Sequence, residues 1–82
     1  MADQYSTTDT TLAAYLISSG HLLSRIDYAN PRYEFLFDDS PAIRGLSTNY
    51  ITGRATTEPI AFNRIVKKLL RVIRSQKQWE DD

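Results

Sequence analysis

Apolar positions recur along this chain in separate segments, and their spacing predicts the secondary structure of each. The first segment has apolar side chains at helical spacing: Leu12, Tyr15 and Leu16. This pattern predicts a helix from about Asp9 to Ser19, with Thr8 as the N-cap residue. Gly20 can adopt the left-handed conformation that ends a helix, so it is the expected C-terminal boundary.

In the second segment, side chains expected to face the core alternate with side chains expected to face away from it, which predicts a β-hairpin. Residues 21–28 and 32–37 each change face at every position. The positions expected to share a face are Leu22, Ser24, Ile26 and Tyr28 in the first strand, and Tyr33, Phe35 and Phe37 in the second. The intervening Ala29-Asn30-Pro31 has turn chemistry, because Pro31 fixes its own φ and lacks a backbone donor.

Two further helices each have a proline at the expected start. The second begins at Ser40-Pro41 and ends near Gly53. Its apolar positions are Ile43, Leu46, Tyr50 and Ile51. The third begins at Thr57-Glu58-Pro59 and is expected to run to about Gln78. Its broad apolar face comprises Phe62, Ile65, Val66, Leu69, Leu70, Val72 and Ile73.

The predicted order is α-β-β-α-α, an α+β fold in which a β-hairpin packs against three helices. The 82 residues are expected to form a single domain, with residues 1–6 and 80–82 as loose tails. A lone hairpin is marginally stable in water, and its open edge can pair with another strand. The sheet edge is therefore a candidate homodimer interface.

Charge is distributed unevenly, although the formal net charge is zero. Residues 1–39 carry six acidic and two basic side chains, residues 40–79 carry one acidic and eight basic, and residues 80–82 are all acidic. Five of the bases fall on the polar face of the third helix: Arg64, Lys67, Lys68, Arg71 and Arg74. Arg44 and Arg54 could extend this patch. The concentration of positive charge indicates an anionic partner, either nucleic acid or the acidic surface of a protein.

Two other interpretations of these basic residues stay open. The face could be solvated and have no specific partner. Its charges could also pair within the chain, with Asp27, Glu34 or the acidic C-terminal residues. Among the aromatic residues, those on the hairpin are expected in the core, whereas Tyr5, Tyr50 and Trp79 lie at element ends and are better placed to meet a partner.

The residues that most catalytic and metal-binding sites require are missing from this sequence. There is no cysteine and one histidine, His21, which excludes disulfides, thiolate sites and multi-histidine metal sites. No phosphate-binding glycine loop or dinucleotide fingerprint is present. His21 is expected to have a capping or surface role at the end of the first helix. Asp38-Asp39 is expected to cap the second helix rather than bind a divalent cation. We therefore expect no enzymatic activity, no catalytic or metal-ligating residues and no cofactor.

The sequence also predicts a cytoplasmic location without a membrane partner. Its first residues are polar and acidic, unlike a signal peptide. The longest uncharged apolar stretch, Leu12 to Ile17, is too short to span a bilayer. The lack of cysteine fits a reducing compartment.

Several short motifs together resemble a family of small uncharacterised domains found in phages, prophages and bacteria. They are Tyr5-Ser6-Thr7-Thr8-Asp9, Leu12-Ala13-Ala14-Tyr15-Leu16, Gly20-His21 and Phe35-Leu36-Phe37-Asp38-Asp39, followed by a basic C-terminal helix. The resemblance covers roughly residues 5–75 and transfers no activity and no site residues. It implies a phage or mobile-element context, in which small accessory proteins often bind DNA or block host defence.

The leading functional hypothesis is a non-catalytic accessory protein that binds nucleic acid through the basic face of its last helix. The alternative is a protein-interaction module, such as a phage inhibitor of a host defence or nucleic-acid enzyme.

Overall fold

The strands and helices follow the predicted order. The computed structural model describes residues 4–29 and 32–81. Within these residues the strands are β1 (Gln4–Thr7), β2 (Leu23–Asp27) and β3 (Glu34–Asp38), and the helices are α1 (Thr10–Ser18), α2 (Pro41–Ile51) and α3 (Pro59–Arg74). A 3₁₀ turn, Trp79–Asp81, follows them. The predicted α+β class and α-β-β-α-α order are confirmed, with β1 as a further strand before α1.

β1 corrects the prediction that residues 1–6 are a loose tail. Residues 4–7 pair antiparallel with β3, and Tyr5 lies opposite Phe37. The Ser47 hydroxyl donates a hydrogen bond of 2.7 Å to the Tyr5 hydroxyl oxygen, which ties β1 to α2. A strand of four residues has too few positions to show its alternation in the sequence. Residues 1–3 lie outside the described part of the chain.

The sheet has the order β1-β3-β2, so β3 is the central strand. Phe35 and Phe37 have no exposed surface and belong to the core, together with residues of α1, α2 and α3. Leu36 points to the opposite face of the sheet, where its neighbours across the strands are Ser6 and Arg25. The helices therefore pack on one face of the sheet.

The predicted facing of β2 is wrong at its start. Leu22 is 87% exposed, and Leu23 is buried instead. The cause is an irregularity in the β2–β3 register between Leu23 and Arg25. Such a bulge shifts the alternation, so that Leu23 and Ile26 both reach the core although they are three residues apart. Of the predicted turn, residues 30 and 31 lie outside the described part of the chain.

The first two helices begin and end close to the predicted residues. Asp9, rather than Thr8, is the N-cap of α1, because its carboxylate accepts hydrogen bonds from the N–H groups of Thr11 and Leu12. Ser40 caps α2, and Pro41 is its first residue. Ile51, predicted on the apolar face of α2, is 77% exposed.

α3 begins as predicted but ends at Arg74, four residues before the expected end at Gln78. Glu58 is its N-cap, and Pro59 is its first residue. Gln76 has a φ of 52°. The N–H of Gln76 bonds to the Ile73 carbonyl, and the N–H of Lys77 bonds to the Val72 carbonyl. This is the left-handed turn that glycine usually forms at a helix end.

The turn at Gln76 sends the last residues back along the edge of β2. The Gln78 side chain accepts a hydrogen bond of 2.7 Å from the Ile26 N–H and donates one of 2.9 Å to the Ile26 carbonyl. The Tyr28 hydroxyl donates to the Lys77 carbonyl at 2.6 Å. Residues 80 and 81 therefore belong to an ordered turn rather than a loose tail, and residue 82 lies outside the described part. The predicted dimer stays a prediction, and β1 is the edge that this segment leaves uncovered.

We expect Gln78→Ala to destabilise the fold by about 1–2 kcal/mol, because it leaves the Ile26 N–H and carbonyl without their side-chain partner. For a domain of this size, thermal denaturation should show a midpoint lower by roughly 4–8 °C per kcal/mol. Lys77→Ala is the matched control, since Lys77 contacts Tyr28 through its backbone carbonyl. Equal midpoints for Gln78→Ala and the wild type would contradict the assigned role of Gln78.

Candidate functional site

One side of α3 carries a row of cationic side chains. We call Arg64, Lys67, Lys68, Arg71 and Arg74 the basic stripe. Leu69 and Val72 anchor the other side of the helix in the core with no exposed surface. Residues three, four and seven apart share a helix face, so this burial leaves the stripe on the outside. Lys68 lies at its border and is partly buried, whereas the other four are exposed.

Trp79 packs beside the basic stripe. Its ring centroid lies 4.0 Å from the Lys68 Nζ atom, a distance at which an ammonium is attracted by the ring face. Trp79 also packs against the core and is partly buried. The turn at Gln76 produces this contact, because it reverses the chain after α3.

Trp79 and α3 enclose a groove of about 450 Å³. We call it the Trp79 groove, and its lining residues are Arg64, Ile65, Lys67, Lys68, Arg71 and Trp79. Four members of the basic stripe are thus brought together around one indole ring and one aliphatic side chain. The groove has the chemistry to hold a ligand that is both anionic and aromatic.

The two residues predicted to extend the patch lie elsewhere. Arg44 is on α2, where its Nε donates hydrogen bonds of 3.1 and 3.0 Å to the two carboxylate oxygens of Asp39. The Arg44 guanidinium holds the pKa of Asp39 below its ordinary value, mainly through these bonds. Arg54 follows α2, and its N–H closes the helix end on the Asn49 carbonyl. Neither residue lines the Trp79 groove.

Acidic side chains gather on the face of the sheet away from the helices. Glu34 and Asp38 alternate with the buried Phe35 and Phe37, and Asp27 lies directly opposite Glu34. Asp27 pairs with Arg25 at 3.9 Å. Among the described residues, neither Asp27 nor Glu34 forms an ion pair with the basic stripe, so the interpretation that these two neutralise it is wrong, while pairing with the acidic C-terminal residues stays a prediction. Among the residues that the structure describes, Lys67 and Arg74 form no ion pair with a carboxylate.

The other aromatic residues considered for a partner surface hold the fold together. The Tyr50 hydroxyl donates to the Asp9 carboxylate at 3.3 Å, and its ring centroid lies 6.1 Å from that of Tyr15. Burial, with Asp9 nearby, raises the pKa of Tyr50. Tyr5 is bonded to Ser47. Of these candidates, Trp79 is the one that the structure places against the basic stripe.

A second cleft, of about 290 Å³, lies beside the start of α2. Its lining includes His21, Asp38 and Asp39. The carboxylates have local partners, since Asp39 binds Arg44 and Asp38 accepts a hydrogen bond from the Ser24 hydroxyl. Residues 4–29 and 32–81 contain no group of three side chains that could jointly hold a metal ion. Within the same residues, no helix has the length and apolar character needed to cross a membrane.

The chain belongs to a family described as a domain of unknown function, DUF5659, whose model matches residues 2–74. The match ends at the last residue of α3 and includes the whole basic stripe, while Gln78 and Trp79 follow it. No curated protein and no solved structure matches the chain significantly.

We expect Lys68→Gln to loosen the packing of Trp79, because it removes the ammonium beside the ring. Such a contact contributes about 0.5–2 kcal/mol. Trp79 is the only tryptophan in the sequence, so acrylamide quenching of tryptophan fluorescence reports on the exposure of this one indole. Quenching should increase in Lys68→Gln and stay unchanged in the control Lys67→Gln. Equal quenching in both variants would show that the ammonium does not hold the ring.

We expect Asp39→Asn to make the protein less stable at neutral pH and to reduce the loss of stability on acidification. The pKa of Asp39 is lowered in the folded state, so its ion pair stabilises the fold above the unfolded-state pKa. This contribution is lost as the pH falls from about 4 through the folded-state pKa. Urea unfolding between pH 7 and pH 2.5 should show the two proteins converging at the acidic end.

Arg44→Gln removes the other partner and should reproduce the effect of Asp39→Asn. A stability difference between wild type and Asp39→Asn that stays constant over the whole pH range would contradict this assignment.

Proposed function

We propose that this protein, whose family has no assigned activity, is a non-catalytic accessory protein that binds nucleic acid through the basic stripe of α3. The resemblance to phage and bacterial domains supports a mobile-element context, and we place the protein in the cytoplasm of its host. The stripe contacts phosphates, which explains its charge and requires no reacting groups.

The observation that carries this proposal is the alignment of five cations on one side of one helix. From Arg64 to Arg74 they extend about 15 Å at 1.5 Å per residue. Phosphates follow one another along a strand at intervals shorter than this length, so the stripe can meet more than one of them. Like charges at these helical spacings repel each other, which costs stability. Phosphates would offset this repulsion.

The carboxylates of the sheet and the basic stripe lie on different parts of the molecule, which supports a defined orientation on a polyanion. Glu34 and Asp38 lie on the sheet face away from the helices, where Arg25 offsets the charge of Asp27. A phosphate backbone approaching the sheet face would be repelled, and one approaching α3 would be attracted. The uneven charge therefore favours binding by α3.

We expect Lys67→Glu to weaken binding to a fluorescein-labelled 20-nucleotide DNA and to reduce its salt dependence. Lys67 is exposed, lines the Trp79 groove and faces away from the core, so its reversal should spare the fold. Losing one phosphate contact reduces the slope of log K against log salt by about 0.7–0.9. Fluorescence anisotropy between 25 and 200 mM NaCl measures both quantities.

Arg32→Glu is the matched control, because it changes the net charge equally at an exposed residue outside the groove. Its affinity and salt slope should stay closer to those of the wild type. Equal effects of the two reversals would mean that net charge, rather than the stripe, governs binding. Salt-insensitive binding, or no binding to DNA or RNA, would reject the proposed function.

An acidic protein surface is the second candidate partner, and the exposed apolar residues of α3 favour it. Ile60 is 69% exposed and Leu70 is 45% exposed. Apolar contacts beside complementary charges are typical of protein interfaces rather than of phosphate contacts. A protein partner would depend on both Leu70 and Lys67, whereas phosphate binding would depend on Lys67 alone.

A further inference from the structure

We infer that the Trp79 groove receives one nucleotide of a single strand, with its base against the indole of Trp79 and its phosphates against Arg64 and Lys67. This inference rests on the proposed function and narrows it from nucleic acid in general to single-stranded nucleic acid. It assigns a role to Trp79, which phosphate binding by the stripe alone does not require.

The groove combines two kinds of wall. Trp79 and Ile65 supply flat aromatic and aliphatic surface, and the flanking cations supply charge. A site that reads only phosphates needs the cations and gains little from an indole. Base–aromatic stacking combined with a positive groove is the arrangement by which proteins hold single strands.

The volume of the groove suits a ligand of this size. At about 450 Å³ it lies within the range of roughly 300–1,000 Å³ that small-molecule clefts occupy. A single nucleotide therefore fits, with its neighbours in the strand continuing along the stripe. Arg74 belongs to the stripe without lining the groove, so it can meet the next phosphates.

The indole is held in place before a ligand arrives. Trp79 packs against the core, and the adjacent Gln78 is bonded to the backbone of β2. The Lys68 ammonium lies over the ring, so a stacking base replaces this flexible side chain on the indole face. A residue whose rotamer is already restricted loses little entropy on binding. Trp79 is therefore a preorganised platform.

Double-stranded DNA fits this surface poorly. Its base faces are stacked on each other, so an indole can reach only base edges. Its major groove is about 12 Å wide and admits one helix of about 10–12 Å diameter. α3 has Trp79 packed along its flank, which makes this part of the molecule broader than a single helix. A strand with accessible base faces is the form that can use both walls of the groove.

The decisive experiment varies the ligand and leaves the protein intact. Three fluorescein-labelled oligonucleotides of equal length are compared at 50 mM NaCl: oligo-dT, an abasic strand with the same phosphates, and a duplex. Since stacking on an aromatic side chain is worth about 1–3 kcal/mol per base, oligo-dT should bind roughly 5- to 150-fold more tightly than the abasic strand. Oligo-dT should also change the fluorescence of Trp79, and the abasic strand should leave it nearly unchanged.

Two variants test the same contact from the protein side. Trp79→Ala should lose about the same 5- to 150-fold for oligo-dT and nothing for the abasic strand. Trp79→Phe keeps an aromatic face and should recover most of the affinity. Thermal denaturation of each variant checks that the fold is retained, and the abasic comparison remains decisive if Trp79→Ala does not fold.

The outcomes separate this inference from the proposed function. Equal, salt-dependent binding of oligo-dT and the abasic strand would overturn the role of Trp79 and leave phosphate binding by the stripe standing. Tighter binding of the duplex than of oligo-dT would overturn the inference in the same way. Failure of all three ligands, and of an RNA strand of the same length, to bind would overturn both.

Discussion

The complete burial of Phe35 and Phe37 in one strand is the constraint on which the other elements depend. Two aromatic side chains on the same face of β3 must be covered by a helix layer, and the backbone N–H and C=O groups beside them, removed from water, need hydrogen-bond partners on both sides of the strand. β1 and β2 supply the neighbours, and residues of α1, α2 and α3 supply the cover. α3 can place one face against this core, so its other face is left to carry the charge of the second half of the chain. The candidate site is thus a consequence of how the aromatic strand is covered.

The parts of this architecture that rest on long periodic segments could be predicted from the sequence. The amphipathic pattern of α3 predicts both its burial at Leu69 and its exposed basic stripe. Capping chemistry predicts the starts of α2 and α3, because Ser40-Pro41 and Glu58-Pro59 combine a capping side chain with a proline in the first turn. The alternation of Phe35 and Phe37 likewise identifies the core-facing side of β3. In each case a local physical rule and the tertiary structure favour the same conformation.

The features that the sequence does not reveal depend on contacts between distant residues. β1 is too short to show a pattern, and its place is fixed by pairing with β3. The bulge that turns Leu23 into the core interrupts the strict alternation on which the prediction relied. The end of α3 lacks the usual glycine, since Gln76 takes the left-handed position itself. Hydrogen bonds to residues some fifty positions earlier in the chain compensate for the missing glycine. The Gln78 side chain bonds to Ile26, and the Lys77 carbonyl accepts a hydrogen bond from Tyr28. Trp79 reaches the basic stripe for the same reason, so the groove is a tertiary feature with no local signal.

The basic stripe and Trp79 differ in physical character as well as in origin. The stripe lies within the region that matches the family, and on the proposed function it would act through charge, which works over about 10 Å at moderate salt and weakens as salt rises. Trp79 lies beyond that region and would act only through direct contact, which salt affects little. On the proposed function, the stripe would bring a strand to α3 and hold its phosphates without regard to sequence. The indole would then discriminate between a strand whose bases are accessible and a duplex whose bases are hidden. A domain of this size can combine both properties because the turn at Gln76 places the indole of Trp79 beside the charges of α3. The indole would act at short range and the charges at long range.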